Sequence, residues 1–199
     1  MKRMILLFLL ALALPMAAFA NNSVDFTNAG GTLSGSSAGL SLTGSMLIAF
    51  GSGGAVTTGN LGTLAFSTGA LSSGDLQMGA TFAGGGSFTI TGNGTNGVPN
   101  GAIFTGTFSG PVTWTLVTLA SGTHNYTLSG ALTGTWIGGA AVSGATVQLT
   151  INTGKGFFNG STTISSGDTN IVVPEPGSLT LLGTGLVGLA GVIKRKLKV

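Results

Sequence analysis

Few side chains between the two ends of this 199-residue chain could do chemistry. Residues 21–173 hold one histidine, His124, three aspartates, Asp25, Asp75 and Asp168, and one lysine, Lys155, with no Glu, Arg or Cys. An active site needs titratable groups that converge. A Ser-His-Asp triad is formally available only through His124 and one of those aspartates, and Ser is too abundant here to be informative. His124 follows Ser121-Gly122-Thr123, a hairpin-turn sequence in which an exposed histidine is unremarkable. One histidine and no cysteine predict no zinc site. Calcium needs only oxygen ligands, and Asp168-Thr169-Asn170 and Ser73-Gly74-Asp75 are its candidates, although each reads first as an ordinary Asp turn. Two stretches match G-x-G-x-x-G. Gly92, Gly94 and Gly97 lead into Val98-Pro99-Asn100-Gly101 instead of a helix, and Gly183, Gly185 and Gly188 lie in an apolar run, so no dinucleotide cofactor is expected. Trp114, Tyr126 and Trp136 could stack on sugar rings, but they fall in phase with Leu and Val neighbours, which makes core packing their default role.

The elements that must position these residues repeat with period two, the signature of strands with one buried face. Leu40, Leu42, Met46, Ile48 and Phe50 are predicted to share a face, as are Leu64 with Phe66, and Leu76, Met78 and Phe82. Phe88 with Ile90, Phe104 with Phe108, and Val112, Trp114 and Leu116 continue the scheme. Tyr126, Leu128, Leu132 and Trp136, then Val147, Leu149 and Ile151, follow. Residues 157–164 are predicted to supply a late strand. Gly-rich turns separate the runs, and the opposite faces carry mainly Thr and Ser, which suit a solvated sheet surface. About ten strands without a helical pattern between them predict an all-β domain, an antiparallel β-sandwich or roll. An outer-membrane barrel is the structural rival, disfavoured by the uneven and often short runs. The 32 glycines of residues 21–173 supply no core side chains, so a folded but lightly packed domain is expected.

Both ends read as targeting segments. Met1-Lys2-Arg3, an apolar run from Met4 to Leu14, Pro15 and the Ala18-Phe19-Ala20 cleavage site make residues 1–20 a secretory signal peptide with a helical core. The chain's formal charge of +3 invites a nucleic-acid reading. Six of its seven cations, Lys2, Arg3, Lys194, Arg195, Lys196 and Lys198, lie in the end segments, however. Residues 21–173 carry a net charge of about −2 and no basic patch, which excludes DNA or RNA as a partner. The absence of cysteine leaves strand pairing and burial to hold an exported domain together.

The C-terminal 26 residues have three parts: Pro174-Glu175-Pro176, an uncharged run from Gly177 to Ile193, and Lys194-Arg195-Lys196-Leu197-Lys198-Val199. As a helix, residues 177–193 would reach about 26 Å at ~1.5 Å per residue, just enough for a transmembrane helix with snorkelling lysines. The cations Lys194, Arg195, Lys196 and Lys198 act as a membrane stop and place the preceding domain outside the cytoplasm. Two prolines hold 173–176 extended and unable to join a sheet ladder or start a helix. That strip suits a protease or transpeptidase cleft, and equally a spacer before a tail anchor.

Val173-Pro174-Glu175-Pro176-Gly177-Ser178-Leu179, the Gly/Leu-rich span and the Lys-Arg-Lys end together resemble the PEP-CTERM sorting signal. That resemblance covers only about residues 172–198 and the expected signal peptide. It implies that Pro174, Glu175 and Pro176 are recognised by an exosortase, an integral-membrane enzyme with a catalytic cysteine, found in Gram-negative bacteria that make extracellular polysaccharide. The expected organisation is a signal peptide at 1–20, a Gly/Ser/Thr-rich extracytoplasmic β domain at 21–172 and a sorting signal at 173–199. The expected function is that of an exported, non-enzymatic surface or biofilm-matrix protein. It would be held first by inner-membrane lipid, processed by an exosortase-like membrane protease and delivered among exopolysaccharide. A carbohydrate-binding or adhesive module built on Trp114, Tyr126 or Trp136 is the alternative, and a hydrolase centred on His124 ranks third.

Overall fold

In the computed structural model, residues 22–173 are described, and they fold entirely through strands and turns. The expected signal peptide, the Pro174-Glu175-Pro176 tripeptide, the span at 177–193 and the cations Lys194, Arg195, Lys196 and Lys198 lie outside the described residues. Thirteen strands follow in order: β1 Asn22–Ala29, β2 Thr32–Ser36, β3 Gly39–Ser52, β4 Ala55–Ser67, β5 Leu71–Asp75, β6 Gly79–Phe82, β7 Gly85–Asn93, β8 Asn100–Phe108, β9 Val112–Thr118, β10 His124–Trp136, β11 Ala141–Asn152, β12 Ser161–Thr163 and β13 Ser166–Val173. Neighbour pairing runs β11-β13-β1-β3-β4-β7-β8-β10, and β10 pairs back onto β11. The result is a closed eight-stranded antiparallel barrel with extra strands. Closure removes the exposed edges that an open sheet would present. The all-β expectation holds, and the strands close into a barrel instead of facing each other as a sandwich, with thirteen strands where the sequence suggested about ten.

Two long strands make both the barrel and its extensions. β10 gives one edge to β11 along its whole length, from Asn125 to Thr135. Its other edge is divided: Leu132 to Trp136 pair with β8, while His124 to Ser129 pair with β9. From β9 the sheet continues to β6 and β5. β3 is divided likewise, pairing with β2 over Gly39 to Thr43 and with β1 over Met46 to Ser52. β2 in turn carries the short β12.

The predicted faces hold wherever the strands are regular and fail at bulges. Leu40 and Leu42 point inward, but Gly44 takes a positive φ of 68° and the register with β4 shifts between Leu42 and Ser45. One extra residue reverses the alternation. Ser45 and Leu47 are therefore buried, and Met46 is 42% exposed. A second shift around Ile48 restores the phase, so that Phe50 meets Phe26 at a ring separation of 5.3 Å. Met78 was also expected on a buried face. It lies in the β5–β6 turn and is 64% exposed. The late strand predicted over 157–164 contracts to β12, with Phe157 and Phe158 in the loop before it.

Aromatic rings fill much of the core. Phe66, Phe88, Phe104 and Phe108 form a chain of stacked and edge-on rings 5.8–6.1 Å apart. Gly130 of β10 is space a ring occupies, since a methyl there would sit 2.8 Å from the Phe108 ring; at Gly134 of β10 and Gly106 of β8 a methyl would meet the backbone of the paired strand first and then the Phe104 ring. Glycine here makes room for aromatic rings instead of leaving voids. Overpacking a filled core typically costs about 1–3 kcal/mol, so Gly130→Ala is expected to lower stability by that amount. Gly110→Ala, where an added methyl meets nothing within 4 Å, is expected to stay within about 0.5 kcal/mol. Urea midpoints of the two variants provide the comparison.

Apolar side chains fill the inside, while outward positions such as Thr113, Ser129, Thr146 and Gln148 are polar and exposed. A transmembrane barrel has the reverse arrangement, with an apolar band facing lipid.

Candidate functional site

His124 opens β10 and is buried. Its Nδ1 lies 3.3 Å from the Gly156 carbonyl, and its ring stacks on Phe157 at 4.2 Å and 17°. The imidazole is thus engaged by a carbonyl and a ring, and among the described residues no carboxylate bonds to it as a triad would require. Asp75 caps the β5–β6 turn, accepting from the backbone N–H groups of Gln77 and Met78 at 2.8 Å each. That is the ordinary Asp turn the sequence suggested. Asp168-Thr169-Asn170 is no turn at all. It lies within β13, with Thr169 buried and Asp168 outward. Among the described residues, no three His, Cys, Asp or Glu side chains group as metal ligands would. At Gly92-Asn93-Gly94 the Asn93 carboxamide accepts from the N–H and hydroxyl of Thr95 and donates to the Asn60 carbonyl. The chain then enters β8, so no phosphate-cradling helix follows.

The proposed stacking rings are taken up by the core. Trp114 and Tyr126 are 1% and 0% exposed and stack on each other at 4.9 Å. Their polar atoms are satisfied internally. Trp114 Nε1 donates to the Leu76 carbonyl at 3.0 Å, and the Tyr126 hydroxyl donates to the Gln77 carbonyl at 2.7 Å. The hydroxyl also accepts from the Phe158 N–H at 3.1 Å. These rings bind the β5–β6 turn and the loop before β12 to the sheet, and offer no face to a ligand. Trp136 is half-buried and packs near Phe26 at 6.1 Å. The three therefore do not make a common platform. Alternation in phase with Val112, Leu128 and Leu132 turned two of them inward.

Two surface features escaped the sequence reading. One is a depression of about 610 Å³ on the outside of the barrel, lined in part by Asp25, Thr113, Ser129, Gln148, Asp168 and Asn170. Strand register explains the convergence, because Thr113 pairs with Ser129, Ser129 with Gln148 and Gln148 with Asp168 across four strands. The other is the loop 153–160. His124 N–H donates to the Gly154 carbonyl at 2.7 Å, Gly154 N–H to Asn152 Oδ1 at 2.8 Å, and the Thr153 hydroxyl to the Gly156 carbonyl at 2.6 Å. Gly35 N–H donates to the Gly160 carbonyl at 2.8 Å. The loop sends Phe158 into the core against Trp114 and leaves Phe157 43% exposed. Two adjacent aromatics after Gly154-Lys155-Gly156 break period two, which was the available signal that this stretch is not strand.

An all-β, closed antiparallel barrel with extra strands is the class these observations define. Residues 172–196 match the family described as the PEP-CTERM protein-sorting motif. No curated protein and no solved structure matches the chain. The chain therefore carries a PEP-CTERM sorting signal, which directs export, membrane-anchored sorting toward the cell surface and processing by an exosortase membrane enzyme. The matched segment contains Pro174, Glu175 and Pro176 together with Lys194, Arg195 and Lys196, and its first two residues are the last two of β13.

Proposed function

We propose that the barrel is a non-enzymatic component of the extracellular polysaccharide or biofilm layer, delivered there by its sorting signal. Residues 1–20 act as the signal peptide. Residues 177–193 hold the precursor in inner-membrane lipid, with Lys194, Arg195, Lys196 and Lys198 on the cytoplasmic side. The observation that carries the reading is the sorting motif at 172–196. The character of the barrel surface supports it. Outward Ser and Thr side chains with little charge suit many weak hydrogen bonds in a hydrated polymer, and His124 is occupied by Gly156 and Phe157. The test places an epitope tag at the exposed Gly53–Gly54 turn and fractionates the native host. The tagged protein is expected in the polysaccharide fraction, and in the free medium when polysaccharide synthesis is disabled. A tag that pellets with membranes in both hosts overturns the proposal.

A further inference from the structure

The ring of Phe157 is displayed, not left over. One face lies on the His124 imidazole, while Phe158 takes the inward place beside Trp114 and Tyr126. The hydrogen bonds of His124, Thr153 and Gly154 fix the loop beneath it, so the display costs little further ordering on binding. Around the ring lies a recess of about 360 Å³ lined by Asn152, Thr153, Asn159, Ser161 and Thr162. Its volume falls within the roughly 300–1,000 Å³ of small-molecule clefts. Its walls are mostly amide and hydroxyl groups, with the Phe157 ring supplying a small apolar part. A pyranose ring has the matching surface, with C–H groups on one face to lie on the aromatic ring and hydroxyls at its edge for the polar rim. A nucleobase would also stack, but Lys155 is the single cation of residues 21–173, which leaves no charge to hold a phosphate backbone.

We propose that the loop between β11 and β12 is a saccharide-binding site in which Phe157 stacks on a pyranose unit of a polysaccharide and Asn152, Asn159 and Thr162 bond its hydroxyls. The site goes beyond the matrix reading, and it is tested on purified protein, so its failure is distinct from a failure of localisation. The full chain in detergent is run by affinity electrophoresis through gels containing a neutral β-glucan, a galactomannan or alginate. Retardation is expected in at least one gel. Phe157→Ala is expected to weaken it about tenfold, equivalent to about 1.4 kcal/mol. Phe157→Tyr keeps the ring and is expected to retain binding, whereas Asn159→Ala, at an exposed side chain outside the core, is expected to weaken it without changing the thermal melt. Absence of retardation in every gel overturns the site, as does undiminished retardation of Phe157→Ala. Retardation confined to alginate, abolished by Lys155→Ala and indifferent to Phe157, also overturns it, because that pattern is charge adsorption.

Discussion

Deleting Pro174–Pro176 leaves the exported chain at its precursor size in the membrane fraction, with the processed form reduced to near nothing. The family match places these residues inside the sorting segment. Their chemistry explains why removal has a large effect. Each proline restricts φ to near −65° and lacks an N–H, so a Pro-Glu-Pro sequence disfavours both helix and sheet pairing. An enzyme cleft that binds extended peptide reads such a strip without first unfolding it. Replacing the tripeptide by Ala-Ala-Ala keeps the length but restores two backbone donors and strong helix propensity, removing the constraint the prolines impose. That variant is expected to fail as the deletion does. Glu175→Gln, which keeps both prolines, separates the backbone requirement from the charge. Immunoblots of fractionated cells, with the tag at Gly53–Gly54, read all three. Undiminished release of the deletion variant would show that the tripeptide is only a spacer.

The legible parts of the fold were those where one physical signal acted alone. Tyr126, Leu128 and Leu132, or Val147, Leu149 and Ile151, alternate without interruption, and the barrel places each of them inside. Met46 and Ile48 were misplaced because a bulge is a backbone event, and Gly44 in the sequence does not say on which side the extra residue falls. β1 and β13 were overlooked for a different reason: their inward positions include polar residues. Asn28 and Thr169 are buried, Asn28 Nδ2 donates to Ser45 Oγ at 2.7 Å, and Gly167 is small because Asn28 lies against it. A period-two search for apolar residues passes over such strands. Closure itself was not readable, since it depends on β13 meeting β1 from the opposite end of the described chain. Of the candidate residues, Trp114 and Tyr126 were legible as core and the loop carrying Phe157 was not, because its form is set by hydrogen bonds to His124 and Tyr126 contributed from elsewhere.

A chain ending at Ser165 is expected not to fold, whereas one ending at Val173 melts as the intact barrel does. β13 is the strand that joins β11 to β1, so its loss opens the barrel along both flanks. Five register pairs with β11, from Thr146↔Asn170 to Thr150↔Ser166, would disappear together with the pairing to β1. Ile171 would leave the core cluster that also holds Phe26, Val147 and Leu149. Each buried backbone group left without a partner costs about 1–3 kcal/mol. A handful of such losses, added to newly exposed apolar surface, exceeds the roughly 5–15 kcal/mol by which a domain is usually stable. The longer chain keeps every pairing of β13, and so would a product cut anywhere after Val173. A cut on the C-terminal side of Val173 therefore removes the signal without touching the described fold. Circular dichroism and urea unfolding of the two truncations decide the matter. A cooperative transition from the chain ending at Ser165 would mean that β13 is an ornament on the barrel and not its closing strand.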